Sequence, residues 1–370
     1  MLEMLQWLCN ELMEAEVSNQ LGAEKSEHTA QRKSHRSGYR PRRLDTRMGT
    51  MYLLVPKVRK GGYIPFFITE RKRSEAALIS VVQEAYIQGV STRRMEKLAQ
   101  SLGIESLSAG QVSEMTRGLN EQVEAFRNRD LSGQPYPFLW VDALYEKIRQ
   151  DGRVISMAIL VVCGVNGEGF REVLAAEPMM EESKETYKQL FTALKARGLT
   201  GVQLVVSDAH PGLREAIKES FPAASWQRCK VHFMRNIMAH VPHHEKETFA
   251  AQLKQIWLAP NRDIALQRAE SLINTYCKRF PKAIETLENG LDDSFQFFAF
   301  NQIDPRKISS TNLMERLNRE VRRRTNVVGI FPHADAYLRL TTAFLMEYAE
   351  DWPTARNYIK KDAIQKLLAA

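Results

Sequence analysis

The sequence has little cysteine. Four stand in 370 residues, Cys9, Cys163, Cys229 and Cys277, widely spaced in a chain long enough to build its own cores. A disulfide framework is therefore excluded as the organising device, and a reducing, cytoplasmic setting is expected. Nor does any apolar run approach the roughly 20 residues that cross a bilayer. The opening "MLEMLQWLCNELMEAEVSNQLG" reads as an acidic amphipathic helix without the basic flank and cleavage site of a secretory signal. The expectation is a soluble protein with no membrane partner.

Acidic residues are in the minority. Asp and Glu number 44 against 52 Lys and Arg, a formal net charge of +8, with a sequence pI near 9.2. Such a balance favours a polyanionic partner, nucleic acid first. A content of 44% apolar and 26% charged residues is that of a folded protein, and the length predicts two or three domains.

The basic excess is uneven. From Arg32 to Arg73 thirteen Lys/Arg stand against two acids, Asp45 and Glu70, with aromatics between them and a strand-like "MYLLVPKV". Arg40, Arg42 and Arg43 lie in this segment, which suits a DNA-contacting arm or small β unit. A solvated charge run reads equally well. Three helices are predicted next: "SEAALISVVQEAYIQ" ending at Gly89, "TRRMEKLAQSL" capped by Ser91 and stopped at Gly103, and "AGQVSEMTRGLNEQVEAF" capped by Ser108. Two helices around a glycine-bearing turn form a helix-turn-helix pattern, whose second helix would present Gln111, Ser113, Glu114 and Arg117 to a groove.

Around Pro135 the pattern becomes extended. "YPFLWVDALYEKIRQ", the turn "DG" at 151–152, "RVISMAILVVCGV", the turn "NGEG" and "FREVLAAEPM" predict a three-stranded meander. An amphipathic helix ending at Gly198 and a short apolar strand, "VQLVVS", follow. This is the order of a ribonuclease-H-like α/β core, a mixed sheet in which the fourth strand lies parallel beside the first. The chain accordingly divides into an N-terminal region suited to DNA (1–130), a ribonuclease-H-like domain (131–240 and 305–350), a helical insertion (241–304) and a C-terminal tail (351–370).

That order gives two acids a meaning. Asp142 sits inside the first strand among Trp140, Val141, Ala143 and Leu144, where an unpaired carboxylate is costly. Asp208 follows the fourth strand. Either alone reads as a strand-end carboxylate or a helix N-cap. Together on neighbouring strands they suit a hard cation with oxygen ligands. Cys229 and His232, spaced C-x-x-H, are half of a zinc pattern, but His240, His243 and His244 bring no second cysteine pair, so a buried, hydrogen-bonded pair is preferred.

The stretch "TNLMERLNREVRRRTN" (311–326) is a helix with Leu313, Leu317 and Val321 on one side and Glu315, Asn318, Arg319 and Arg322 on the other. An ion pair from Glu315 to Arg319 would contribute ~0.3–0.5 kcal/mol. It leaves the arginine excess, Arg323 included, without local acidic partners. Asparagines and arginines around one carboxylate suit a site where the acid holds a metal and the bases hold a phosphodiester.

Asp142, Asp208 and Glu315 in this order resemble the catalytic Asp, Asp, Glu set of transposases, and more narrowly the Mutator-like transposases of bacterial insertion sequences. The motifs that carry the resemblance are "FLWVDALYEKIR", "LVVSDAHPGL", "WQRCKVHFMRN" and "STNLMERLNREVRRRTNVVGIFP". The resemblance implies a ribonuclease-H-like catalytic domain with two Mg²⁺ ions, Mn²⁺ substituting, in which Asp142 bridges both and Asp208 and Glu315 complete one each. It implies cleavage at transposon ends and transfer of the 3′-hydroxyl into target DNA. Arg319, Arg322 and Arg323 would contact the end backbone, while the N-terminal region with Arg40, Arg42 and Arg43 would read the terminal inverted repeats. A homodimer or larger assembly, nucleoid-associated when on DNA, is expected. The alternative is a domesticated, inactive DNA-binding protein, which has no use for the acidic set.

Overall fold

A computed structural model describes residues 1–369 apart from 31, 47, 66, 69–75 and 355, so Arg47 and the basic run at 71–73 lie outside the described residues. The chain divides into two units, Met1–Asn120 and Glu121–Ala370.

In the first unit, helix α1 (Leu2–Leu21) ends on Gly22 in the left-handed conformation and packs against a hairpin of β1 (Arg36–Thr46) and β2 (Gly49–Val58). The alternation of β2 decides the face: Met51, Leu53 and Val55 meet Cys9 and Met13 of α1, while Tyr52 and Leu54 point outward. Three helices, α2 (Ala76–Ile87), α3 (Thr92–Ser101) and α4 (Ala109–Met115), enclose Leu78, Val82, Met95, Ala99, Leu107 and Val112. Ser91 caps α3, and Ser108 forms a capping box with Gln111. The hairpin turn is tied to the α3–α4 turn where the Thr50 N–H donates to Gly103 O. A Cβ on Gly103, whose φ is +78°, would come within 3.2 Å of the Gly49 Cα, so this approach requires glycine.

The third predicted helix is broken. After α4, residues Thr116–Gly118 form a 3₁₀ turn before α5 (Leu119–Arg127). The Thr116 hydroxyl bonds back to Val112 O and Ser113 O, and Gly118 is a poor helix former. Of the four groove candidates, Gln111 is folded into its capping box and Glu114 pairs with Arg117 at 2.8 Å.

The second unit is built on a five-stranded sheet. Its strands are β3 (Phe138–Gln150), β4 (Arg153–Val165), β5 (Arg171–Met179), then, after helix α6 (Lys184–Ala196), β6 (Leu204–Ser207) and, after α7 (Pro211–Ser220), β7 (Ser225–Arg228). The spatial order is β5-β4-β3-β6-β7, antiparallel across the meander and parallel from β3 to β6 to β7. Asp151 and Gly152, both at positive φ, close the β3–β4 hairpin as the "DG" pair predicts. Leu139, Val141, Leu160, Val162 and Val205 face Phe191 and Leu194 of α6 and Ile217 of α7.

Helix α8 (Lys230–Met238) leads into α9 (Lys246–Trp257), α10 (Arg262–Tyr276) and α11 (Pro281–Glu288). Gln227, fully buried on β7, stitches this helical segment to the sheet: its amide donates to Ser294 O and its carbonyl accepts from Phe297 N–H. The short α12 (Pro305–Ile308) precedes α13 (Asn312–Thr325) and α14 (Ala334–Ala349), which cover the other face of the sheet. The last residues, expected as a tail, dock: Tyr358 meets Trp140 edge-on, the Arg171 guanidinium lies over the rings of Trp352 and Tyr358, and α15 (Lys361–Leu368) ends the chain. Among the described residues no helix is long and apolar enough to cross a membrane.

Candidate active site

Strand register brings the two aspartates together. The parallel pairing runs Phe138↔Leu204, Leu139↔Val205 and Trp140↔Val206, an offset of 66 residues, which is also the separation of Asp142 from Asp208. Carried two residues past the last pair, the same register sets Asp142 opposite Asp208. Asp208 is not a helix cap: His210 occupies the N-cap of α7, with Pro211 first in the helix. Its strand is fixed from behind, where Trp226 Nε1 donates to Ser207 Oγ and the Ser207 hydroxyl to Asp208 O.

Helix α13 lies along β3. The Asn318 amide donates to Asp142 Oδ2 at 2.7 Å, and the Thr325 hydroxyl to Glu146 Oε1 at 2.6 Å. Four residues of strand span roughly 13 Å and seven of helix roughly 10 Å, so these two bonds set the helix nearly parallel to the strand. Both carboxylates lie on the strand face opposite to Leu139 and Val141. The helical wheel put Asn318 on the solvent side; in the structure it is only 8% exposed, because that side of the helix meets a polar strand position. Leu313, Leu317 and Val321 are buried as the wheel required.

Glu315, one turn before Asn318, pairs with His232 Nε2 at 3.4 Å and Arg235 at 3.5 Å, not with Arg319. The arginine excess is partly answered locally, since Glu320 takes both Arg323 (3.5 Å) and Arg324 (2.7 Å). Arg319, Arg322 and Arg323 are exposed. In the first unit, Arg43 is engaged by Asp45 at 3.0 Å and by Ser106 O, and Arg40 donates to Tyr63 O.

Cys229 and His232 flank the first turn of α8. The Cys229 sulfur accepts from both the N–H and the hydroxyl of Thr311, the residue before α13, at 3.3 and 3.2 Å. This contact anchors the start of the helix that carries Glu315. Burial pushes the Cys229 thiol up, but donors from His232 and Thr311 outweigh it and leave the group below its ordinary value. The nearby Cys229 sulfur is the main influence that raises the His232 imidazole, against its burial. Among the described residues no three His, Cys, Asp or Glu side chains stand together at metal-ligating distances. The half zinc pattern therefore finds no completion there, and the three acids are associated through charge rather than close contact.

Asp142 registers that association. Burial raises its carboxyl to about 6; the Ala143 N–H and His232 pull it down, and the charges of Asp208 and Glu315 push it up. The folded protein thus holds this proton more tightly than the unfolded chain. The group's contribution to stability is whole below about pH 4 and is lost as pH rises through about 6, a cost of roughly 2–3 kcal/mol above that. Metal-free Asp142→Asn is expected to melt roughly 5 °C above the wild type at pH 8, with the gap closing towards pH 4. Thermal melts across that range check it.

Sequence reasoning named Asn318 among the polar residues of its helix but not its bond to Asp142, and it missed Thr311, Arg235 and the Glu182–His210 pair (3.5 Å) beside Tyr187. Only the "N-x-x-x-x-x-x-T" spacing of Asn318 and Thr325 on α13, matched to Asp142 and Glu146 on β3, carried a readable signal.

The family model described as "Transposase, Mutator family" matches residues 1–355. The transposase for insertion sequence element IS1081 of Mycobacterium tuberculosis is 42% identical over 360 residues, covering 97% of this chain and 87% of the relative. The transposase for insertion sequence element ISRM5 of Rhizobium meliloti is 38% identical, covering 98% and 91%. That for IS256 in transposon Tn4001 of Staphylococcus aureus is 39% identical, covering 95% and 91%. A solved Drosophila P element transposase strand transfer complex is similar at a TM-score of 0.31 and 12% identity over 84% of this chain and 87% of that one, too slight to bear on fold or function.

Proposed function

Because the chain belongs to the Mutator family of transposases, we propose that it is a DNA transposase whose cutting and joining chemistry runs at Asp142, Asp208 and Glu315 on a ribonuclease-H-like core. The observation that carries this reading is the parallel pairing of β3 with β6 up to Trp140↔Val206, two residues before Asp142 and Asp208, with α13 bonded to Asp142 from above. The strand order β5-β4-β3-β6-β7 supports the core assignment.

The chemistry of the donor set suits a hard divalent cation, three carboxylates with a buried amide oxygen alongside, although the three must close in from their present separation to ligate it. Asp142, Asp208 and Glu315 would together hold the divalent ions, Mg²⁺ or Mn²⁺ in its place. Asp208 is exposed and Glu315 half-buried, so both have room to turn towards β3. When bound, the ions would activate the attacking oxygen and stabilise the leaving one in an in-line displacement.

The protein's own groups hold the parts in place. His232 and Arg235 steady Glu315, Cys229 ties down the start of α13, and Asn318 fixes Asp142. The exposed Arg319, Arg322 and Arg323 supply guanidinium donors for the phosphates of the transposon end. In the first unit Arg40 and Arg42 are offered to the terminal repeats, with Arg43 held as a brace. Two or more copies would assemble on paired ends. A strand-transfer assay with the terminal-repeat DNA and Mg²⁺ tests the function: joined products are expected, whereas binding without cleavage would mean a DNA-binding protein that has lost the chemistry.

A further inference from the structure

Asn318 is a polar residue placed where a helix normally buries an apolar one. Its Nδ2 donates to Asp142 Oδ2 at 2.7 Å, while Asp142 Oδ1 accepts from the Ala143 N–H at 3.0 Å. Both carboxylate oxygens are thus pinned and the plane of the group is set. The Asn318 Oδ1, in the same planar amide, is buried and has no protein donor. An acceptor left in that state costs about as much as a lost hydrogen bond, so it calls for an explanation. The neighbours offer no alternative explanation: Leu317 and Val321 already fill the apolar contact of this helix, and Thr325 makes the second tie to β3.

We propose that Asn318 completes the cation site of the transposase, orienting Asp142 through its amide nitrogen and presenting its amide oxygen as a neutral acceptor to the hydrated divalent ion. The inference rests on the metal-dependent reading of Asp142, Asp208 and Glu315 and adds a positioning residue to it. The donor polarity follows from chemistry: an ionised carboxylate accepts only, so the amide must give its N–H₂ to Asp142 and turn its oxygen elsewhere. A carboxylate pinned in this way keeps its remaining lone pairs in a fixed direction, as partners behind a ligand commonly do.

The test is Mn²⁺ binding to the full chain on its terminal-repeat DNA, read by the electron paramagnetic resonance of free Mn²⁺, for wild type, Asn318→Leu, Asn318→Ala and Asp142→Asn. Leucine keeps the volume and the helix propensity while removing both polar functions, so it decides the matter if the alanine variant folds poorly. The expectation is about a 10- to 100-fold weaker Mn²⁺ affinity for Asn318→Leu, with thermal unfolding close to wild type and with cleavage restored as Mn²⁺ is raised. Asn318→Leu binding Mn²⁺ within twofold of wild type, beside an Asp142→Asn that has lost it, would overturn the role of Asn318 and leave the site intact. If Asp142→Asn binds as tightly as wild type, the metal-site reading itself falls.

Discussion

Asp142→Asn, Asp208→Asn and Glu315→Gln are each expected to lower donor cleavage and strand transfer by about 10³-fold or more, with terminal-repeat binding unchanged. The substitutions keep size and delete one negative charge, so packing is preserved while the capacity to hold a divalent ion is not; at Asp142 one of the two accepting oxygens also becomes a donor. At Asp142 the replacement amide oxygen can still accept from Asn318, which separates loss of charge from loss of structure. At Glu315 the amide loses its ion pairs with His232 and Arg235, but both partners reach solvent on their own helix. If the three act as one unit, a double substitution should be no worse than the worst single one. The measurement is the yield of nicked and joined products over time. A variant that kept cleavage and joining at wild-type rates would remove its residue from the site.

Withdrawing divalent metal is expected to have an effect as large. Chelation should bring cleavage and joining to background and leave circular dichroism unchanged, because the sheet is held by Val141, Leu160, Val162, Val205 and the helices packed on them, not by an ion. Mg²⁺ or Mn²⁺ should restore both steps. At about 100 times its dissociation constant, the ion should add roughly 2.7 kcal/mol of stability by mass action. Lowering the pH through about 6 should raise the metal needed, since the proton and the cation compete for Asp142. Product yield in chelator, then on titration with Mg²⁺, checks this; activity that survives chelation would contradict it.

The sheet was legible because its signals are local. Runs of branched and aromatic residues, "DG" at 151–152 and the helix that stops at Gly198 predict the meander, the crossover and the buried strand, and the structure has them in that order. The two aspartates followed from strand order alone, but their offset of 66 residues became meaningful only once pairing was known. Asn318 was grouped with Glu315 and the arginines as a site residue, but its burial against β3 was not foreseen, for a definable reason. A helical wheel sorts residues by an apolar stripe and takes the other side for solvent, whereas α13 lies against a strand that presents Asp142 and Glu146. Local spacing also favoured Glu315 with Arg319, and the tertiary partners His232 and Arg235 prevailed. Glu320, overlooked as a partner for Arg323 and Arg324, was readable at helical spacing. The break at Thr116–Gly118 depends on a hydroxyl bonding back to the preceding turn, and the docking of Tyr358 on Trp140 spans most of the second unit's sequence, beyond any local pattern.

The most direct test of the site is to let the metal mark its own position. With Fe²⁺ in place of Mg²⁺ on the DNA-bound protein, ascorbate and peroxide generate hydroxyl radicals that cut the backbone nearest the ion, and the fragment ends are read by mass spectrometry. Cuts clustered together near residues 142, 208 and 315, suppressed by excess Mg²⁺ and absent in Asp142→Asn, are the predicted result. Cuts confined to Cys229 and His232, or scattered without relation to the three acids, would contradict it.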